Sequence, residues 1–119
     1  MSDIIVTLPA SIPPETVKAE IRAQNEEGGV LRYKVYYKPN VKPGDKCFTV
    51  YRGKIIGWMT IYRIFEGSFT CDVTGREWEG KFIERTGKFH ILKNPVPLKG
   101  FRGVKYVDES IRQQLTKKN

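Results

Sequence analysis

The stretch Val41-Lys42-Pro43-Gly44-Asp45-Lys46-Cys47-Phe48-Thr49-Val50-Tyr51-Arg52-Gly53-Lys54-Ile55-Ile56-Gly57-Trp58-Met59-Thr60-Ile61-Tyr62-Arg63-Ile64 decides the fold. It reads as turn, strand, turn, strand. Pro43 presets φ and Gly44 accepts a positive φ, so the pair makes a tight turn. Cys47, Phe48, Val50 and Tyr51 form a short β-rich run, Arg52-Gly53-Lys54 reverses the chain, and Ile55 to Ile64 returns. Gly57, inside the return strand, marks a bulge or a close approach by another backbone. The apolar members make a core hairpin, and Lys42, Lys46, Arg52, Lys54 and Arg63 surround it with positive charge.

Upstream, Asp3 to Leu8 is β-branched and apolar and reads as a first strand. A helix follows from about Pro13 or Pro14, where proline is tolerated and Glu15 suits the positive end of the dipole. Ser11 is its candidate cap, and Gly28-Gly29 ends it. Val17 and Ile21 share a face, with Lys18, Glu20, Arg22 and Gln24 mostly outward. Val30 to Tyr37 is a second strand, with Arg32 and Lys34 on one face and Tyr33 and Val35 on the other.

Downstream, Glu66-Gly67-Ser68 reads as a turn. Phe69 to Thr74 is a strand with Phe69, Cys71 and Val73 inward, and Thr74-Gly75-Arg76 is the next turn. Trp78 to Arg85 is a strand with a weak centre at Gly80. Thr86-Gly87-Lys88 breaks it, and Phe89 to Leu92 is a further short strand. Asp108 caps a short final helix containing Ile111 and Leu115. Six to eight short strands with a helix near each end predict a mainly β, α+β fold, a small β-barrel rather than a parallel βαβ sheet.

A chain of 119 residues is expected to form one domain, residues 1–119, with a soft tail over 116–119. The 21 Lys and Arg against 13 Asp and Glu give a net charge of +8, which favours an anionic partner. No apolar run is long enough to span a bilayer and no secretory signal is visible, so a cytoplasmic monomer without membrane association is expected. Cys47 and Cys71 read as reduced thiols that could sit on neighbouring strands. One His and no CxxC argue against a metal site, and no cofactor motif is present. His90, beside Phe89 and Ile91, reads as structural.

The order strand, helix, strand, then Lys42-Pro43-Gly44-Asp45 opening a strand and Gly53-Lys54-Ile55-Ile56-Gly57 opening the next, resembles the PUA-like superfamily, and within it ASCH and EVE domains. The segment Pro97-Leu98-Lys99-Gly100-Phe101-Arg102-Gly103-Val104-Lys105-Tyr106 resembles the close of small ASCH-like proteins of phages and prophages. The likeness spans about residues 28 to 107. It implies a PUA-like β-barrel with RNA or a modified base as the usual ligand class. Some ASCH relatives are ribonucleases, and some hydrolyse an acetylated cytidine with Lys, Thr and Glu. The family's Gly-x-Lys-x-x-Glu-x-Arg hallmark lies before the Gly-Asp turn. Here Gly29-Val30-Leu31-Arg32-Tyr33-Lys34 lacks the Glu, and a partial echo, Gly80-Lys81-Phe82-Ile83-Glu84-Arg85, follows the turn instead.

Binding a nucleic acid needs cations for phosphates and flat side chains for bases. Arg32, Lys34, Arg52, Lys54 and Arg63 are candidate cations on neighbouring strands, and Tyr36, Tyr37, Trp58 and Tyr62 candidate stacking surfaces, with Trp58 better read as core. The late loop offers Lys99, Arg102 and Lys105 with Phe101 and Tyr106, the aromatics serving either a base or the barrel interior. Lys81 and Glu84, near Thr86, are the weak catalytic candidates. On a strand Lys81 and Glu84 face opposite ways, and solvated charges on an edge strand are the plainer reading. The sequence therefore predicts a binder of RNA or single-stranded nucleic acid. A nucleobase- or RNA-processing hydrolase is the alternative, as is a phage factor that docks on a protein.

Overall fold

A computed structural model describes residues 3–70 and 75–118. The elements run β1 (Ile4–Leu8), α1 (Pro14–Glu27), β2 (Val30–Val35), β3 (Lys46–Tyr51), β4 (Lys54–Thr70), β5 (Glu77–Pro97), β6 (Val104–Tyr106) and α2 (Glu109–Lys118). They build one mixed sheet in the order β2-β5-β4-β3-β1-β6. β1 lies parallel to β3, and every other pair is antiparallel. The fold is mainly β with two helices, as the sequence predicts.

The period-two alternation of side chains divides the apolar residues between two cores. Ile4, Val6, Val35, Cys47, Ile61 and Ile83 meet inside the curl of the sheet. Ile5, Phe48, Val50, Ile55 and Val96 face the other way, against Ile111 and Leu115 of α2. The sheet does not close into the expected barrel, because its edge strands β2 and β6 do not pair. Tyr33 and Val35 near one edge and Val104 at the other pack into the same inner core. The Asn40 amide reaches across to donate to the Tyr106 hydroxyl at 2.9 Å. No strand ladder joins β2 to β6, so an open seam separates the two edges.

Two expected turns are not turns. Glu66-Gly67-Ser68 lies within β4, where Gly67 pairs with Gly80 of β5, both at positive φ (151° and 140°). A pair of glycines in one rung bends the ribbon instead of ending it. Phe69, beyond that rung, consequently reaches back to Phe82, their ring centroids 5.1 Å apart. Thr86-Gly87-Lys88 lies within β5, and the register shift between Trp58 and Thr60 absorbs the extra residues as a bulge. β5 is thus a single central strand and not an edge. Cys71 and Val73 lie outside the described residues.

Gly57 answers both expectations at its position. The ladder shifts between Ile55 and Gly57, and a Cβ on Gly57 would lie 2.3 Å from the Phe89 ring and 2.5 Å from the His90 carbonyl oxygen. Ser11 does not cap α1. Pro13 holds the cap position and has no side-chain acceptor to offer; its carbonyl accepts from the Thr16 amide at 3.0 Å, and Pro14 at the first helical position has no N–H to satisfy. Gln24 is buried instead of outward, its amide donating to the Gly29 and Gly87 carbonyls and tying the end of α1 to β5. Asp108 caps α2 as predicted, its Oδ1 accepting from the Ile111 amide at 2.8 Å. Thr116 to Lys118, expected as a soft tail, form the last turn of α2.

Candidate nucleic-acid interface

The seam between β2 and β6 opens into a groove of about 490 Å³. β2 ends at Val35 and the chain then bends, which carries Tyr36, Tyr37 and Lys38 out of the sheet. The loop before β6 brings Arg102 and Gly103 to the opposite wall. Lys34, Lys38 and Arg102 therefore line one hollow together with Tyr36, Tyr37 and Tyr106. Tyr36 and Tyr37 are 83% and 87% exposed, the largest exposures among the described large apolar and aromatic residues. Leaving such rings in water forgoes burial worth about 1.5–3 kcal/mol for a large side chain. A second hollow of about 410 Å³ shares Lys34, Val35 and Tyr36 and continues the groove onto the ribbon at Gly67, Gly80 and Lys81. Lys34 links the two, its Cε lying 3.3 Å from where a Cβ on Gly80 would stand.

Of the residues predicted as one basic, aromatic surface, the seam gathers Lys34, Arg102, Tyr36 and Tyr106. The others are elsewhere. Arg52 and Lys54 sit at the β3–β4 turn beside the Pro97 end of β5, whereas Lys34 pairs with Phe82 near its other end. Arg52 is also committed to the Ala10 carbonyl. Lys99 lines neither hollow, and Phe101 packs into the outer core with Lys105 6.0 Å above its ring. Trp58 is core-like, stacked on His90 at 4.0 Å with Lys46 4.5 Å from its ring centre, which gives His90 its structural role. Arg32 and Arg63 face neither hollow, because both bind Glu84.

Lys81 and Glu84 do not meet. Glu84 is 1% exposed and lies between Arg32 and Arg63, while Lys81 pairs with Val35 and Glu66 on the ribbon side. No acid–base pair forms there.

The sequence reading missed a second cavity, of about 170 Å³, between α1 and the inner face of the sheet. Leu8, Val17, Ile21, Leu31, Ile56, Met59 and Phe89 make it mostly apolar. Glu20, Gln24, Arg32, Thr49 and Arg85 complete its wall, and Thr49 Oγ1 and Arg85 Nε are buried without a hydrogen-bond partner among the described residues. Arg85 follows Ile83 on the inward face of β5, a parity that the sequence does carry. Its guanidinium lies close enough to Cys47 to pull that thiol's pKa down, but burial prevails and pushes it up to about 11. Burial likewise raises Tyr33 above the usual phenol value, against the pull of Arg85.

No protein-family profile and no curated protein sequence matches the chain. Solved structures do. A point mutant of the ASCH protein from Zymomonas mobilis superposes with a TM-score of 0.65 at 13% identity, covering 98% of each chain. The ASCH protein of Zymomonas mobilis itself gives 0.61 at 13% identity, over 97% of this chain and 94% of that one. The fold is ASCH-like. Protein Atu2648 from Agrobacterium tumefaciens gives 0.54 at 14% identity, over 98% of this chain and 92% of its own. The ASCH-like architecture thus extends over both helices as well as the sheet, further than the residues that first suggested it.

Proposed function

We propose that this protein binds RNA or another single-stranded nucleic acid along the β2–β6 seam. The observation that carries the reading is the convergence of Lys34, Lys38 and Arg102 with Tyr36, Tyr37 and Tyr106 around one open groove. The cations neutralise phosphates and release counterions, and the exposed tyrosines stack on bases that a single strand leaves unpaired. A duplex hides those faces, so single strands are preferred. The ASCH-like fold agrees with this reading, and a phage or prophage setting remains part of the proposal.

Fluorescence-anisotropy titration with short single-stranded RNA, single-stranded DNA and duplex DNA at two salt concentrations tests it. Salt-sensitive binding that favours single strands is expected. Absence of binding at low salt, or binding indifferent to salt, overturns it.

The cavity under α1 favours a second reading, in which a nucleobase or nucleoside is taken into the protein. Thr49 and Arg85, two residues of its wall, each hold a buried hydrogen-bonding atom, Oγ1 and Nε, without a partner among the described residues. A planar ligand with a carbonyl edge satisfies both while its rings meet Met59 and Phe89. Hydrolysis at this site is the form of the reading in which the ligand is also processed. Saturable heat of nucleoside binding that disappears in Thr49→Val supports occupancy, and release of a product on incubation separates turnover from binding.

A further inference from the structure

The sheet carries a cluster that the seam does not use, and one member of it, Arg32, also lines the cavity under α1. Glu84 lies in register between Arg32 of β2 and Arg63 of β4, so three neighbouring strands contribute one residue each to a single rung. Arg32 donates through Nε to Glu84 Oε2 at 2.8 Å, and Arg63 through Nε to Oε1 at 2.5 Å. One carboxylate holds two guanidiniums, one at each of its oxygens. The carboxylate is 1% exposed while the arginine side chains are 36% and 53% exposed.

Each arginine uses only its Nε in this pairing. The Nη groups, which carry most of a guanidinium's N–H donors, have no hydrogen-bond partner among the described residues. Aromatic rings back both planes. Phe69, folded over by the Gly67–Gly80 bend, lies 4.4 Å from the Arg32 guanidinium, and Phe65 and Tyr62 lie 5.3 Å and 5.5 Å from that of Arg63. The two side chains are therefore ordered before any ligand arrives, and two positive charges against one negative leave the cluster cationic. Two guanidiniums anchored to one carboxylate, each with a planar fork of N–H donors left over, suit the tetrahedral oxygens of a phosphate.

We propose that Arg32 and Arg63, held by Glu84, form a binding site for a phosphate oxyanion. The phosphate belongs either to a bound nucleic-acid strand or to a free phosphate compound. The first source rests on the seam reading, and the site itself does not. Lys34 stands two residues from Arg32 on the same face of β2, roughly 7 Å along the strand. A strand leaving the seam at Lys34 meets the arginine pair at its next phosphates.

The test follows the arginine Nε–Hε signals by nuclear magnetic resonance in the full chain. Inorganic pyrophosphate is added first, with sodium chloride of equal ionic strength as the reference. The Arg32 and Arg63 signals are expected to move together and saturably with pyrophosphate only. In Arg63→Ala the Arg32 response disappears. Arg63→Lys keeps the charge yet loses about tenfold in pyrophosphate affinity, because a lysine offers no fork. Signals that stay still, or that move equally in chloride, overturn the proposal, as does full retention of affinity in Arg63→Lys.

A single-stranded oligonucleotide then separates the sources. If the strand supplies the phosphate, Arg63→Ala lowers its affinity about tenfold and reduces the salt slope by about 0.7. If oligonucleotide binding is unchanged while pyrophosphate still moves both wild-type signals, the site belongs to a free phosphate compound. A wild-type chain that binds no oligonucleotide contradicts the seam reading and leaves the pyrophosphate result standing.

Discussion

The seam groove and the cavity under α1 lie on the same curled sheet and bear opposite costs. The seam leaves rings in water: Tyr36 and Tyr37 stand almost free, with Lys34, Lys38 and Arg102 around them. The cavity's wall takes polar groups out of water: Thr49 Oγ1 and Arg85 Nε are buried with no partner among the described residues. A fold selected for stability alone would exchange the two sets. Exposed aromatics would turn inward, and the buried hydroxyl would give way to a methyl. The difference teaches that the two regions suit different chemistry: on the function proposed above, an extended polyanion at the seam and a compact planar molecule in the cavity.

The largest expected effect probes how tightly the cavity side is packed. Gly57→Ala drives a methyl into the Phe89 ring, which lines the cavity, and into the His90 carbonyl, which cannot rotate away. A loss of about 3 kcal/mol in unfolding free energy is expected by chemical denaturation. A loss below about 0.5 kcal/mol would show that the wall yields, and the cavity would then not be a fixed enclosure.

Next comes the pH dependence of the interior. Cys47 is pushed up to about 11 from an ordinary 9.0, chiefly by burial. The folded protein therefore keeps its thiol proton when the unfolded chain has already released it. The contribution is complete below pH 9 and lost as pH rises from about 9 to 11, by on the order of 2–3 kcal/mol. Denaturation curves across that window show the fall, and Cys47→Ala removes this part of it. An unchanged slope in the variant would mean that the folded protein does not hold the thiol proton above its ordinary range.

On the seam side, Tyr36→Ala is expected to leave the melting temperature within a degree or two and to weaken single-strand binding about tenfold, the worth of a stacked base. A drop in stability with no loss of binding would reverse the contrast between the regions. The smallest effect belongs to Thr49→Val. Replacing an unpaired buried hydroxyl with a methyl should raise stability by about 1 kcal/mol in the ligand-free protein. A destabilised variant would show that the hydroxyl is already satisfied.

Much of the fold beneath this contrast was legible in the sequence, because local rules wrote it. The Pro43-Gly44 turn, the hairpin from Lys46 to Ile64, the proline-led first helix and the Asp108 cap all follow from neighbours in the chain. The long β4–β5 pairing was harder to read. Gly67 and Gly87 look like turn residues until a partner strand converts one into a bend and the other into a bulge, and only the tertiary register decides that. The site divided in the same way. Lys34, Tyr36, Arg102 and Tyr106 were visible as a basic, aromatic set, but Arg52 and Lys54 belong to the far end of the strands. The partnership of Glu84 with two arginines needed three strands in register. The hydroxyl of Thr49 reads as an ordinary strand residue until its lack of a partner is seen.

The most direct test of the seam compares two double charge reversals in one oligonucleotide titration. Lys34→Glu with Arg102→Glu alters the groove, and Arg52→Glu with Lys54→Glu alters the far turn, while both change the net charge by the same amount. The account predicts that the first pair loses single-strand binding by a hundredfold or more, and that the second stays within about threefold of the wild type. Equal losses in both would mean that the overall charge of +8 attracts the strand wherever it lands, and the seam would not be the binding site.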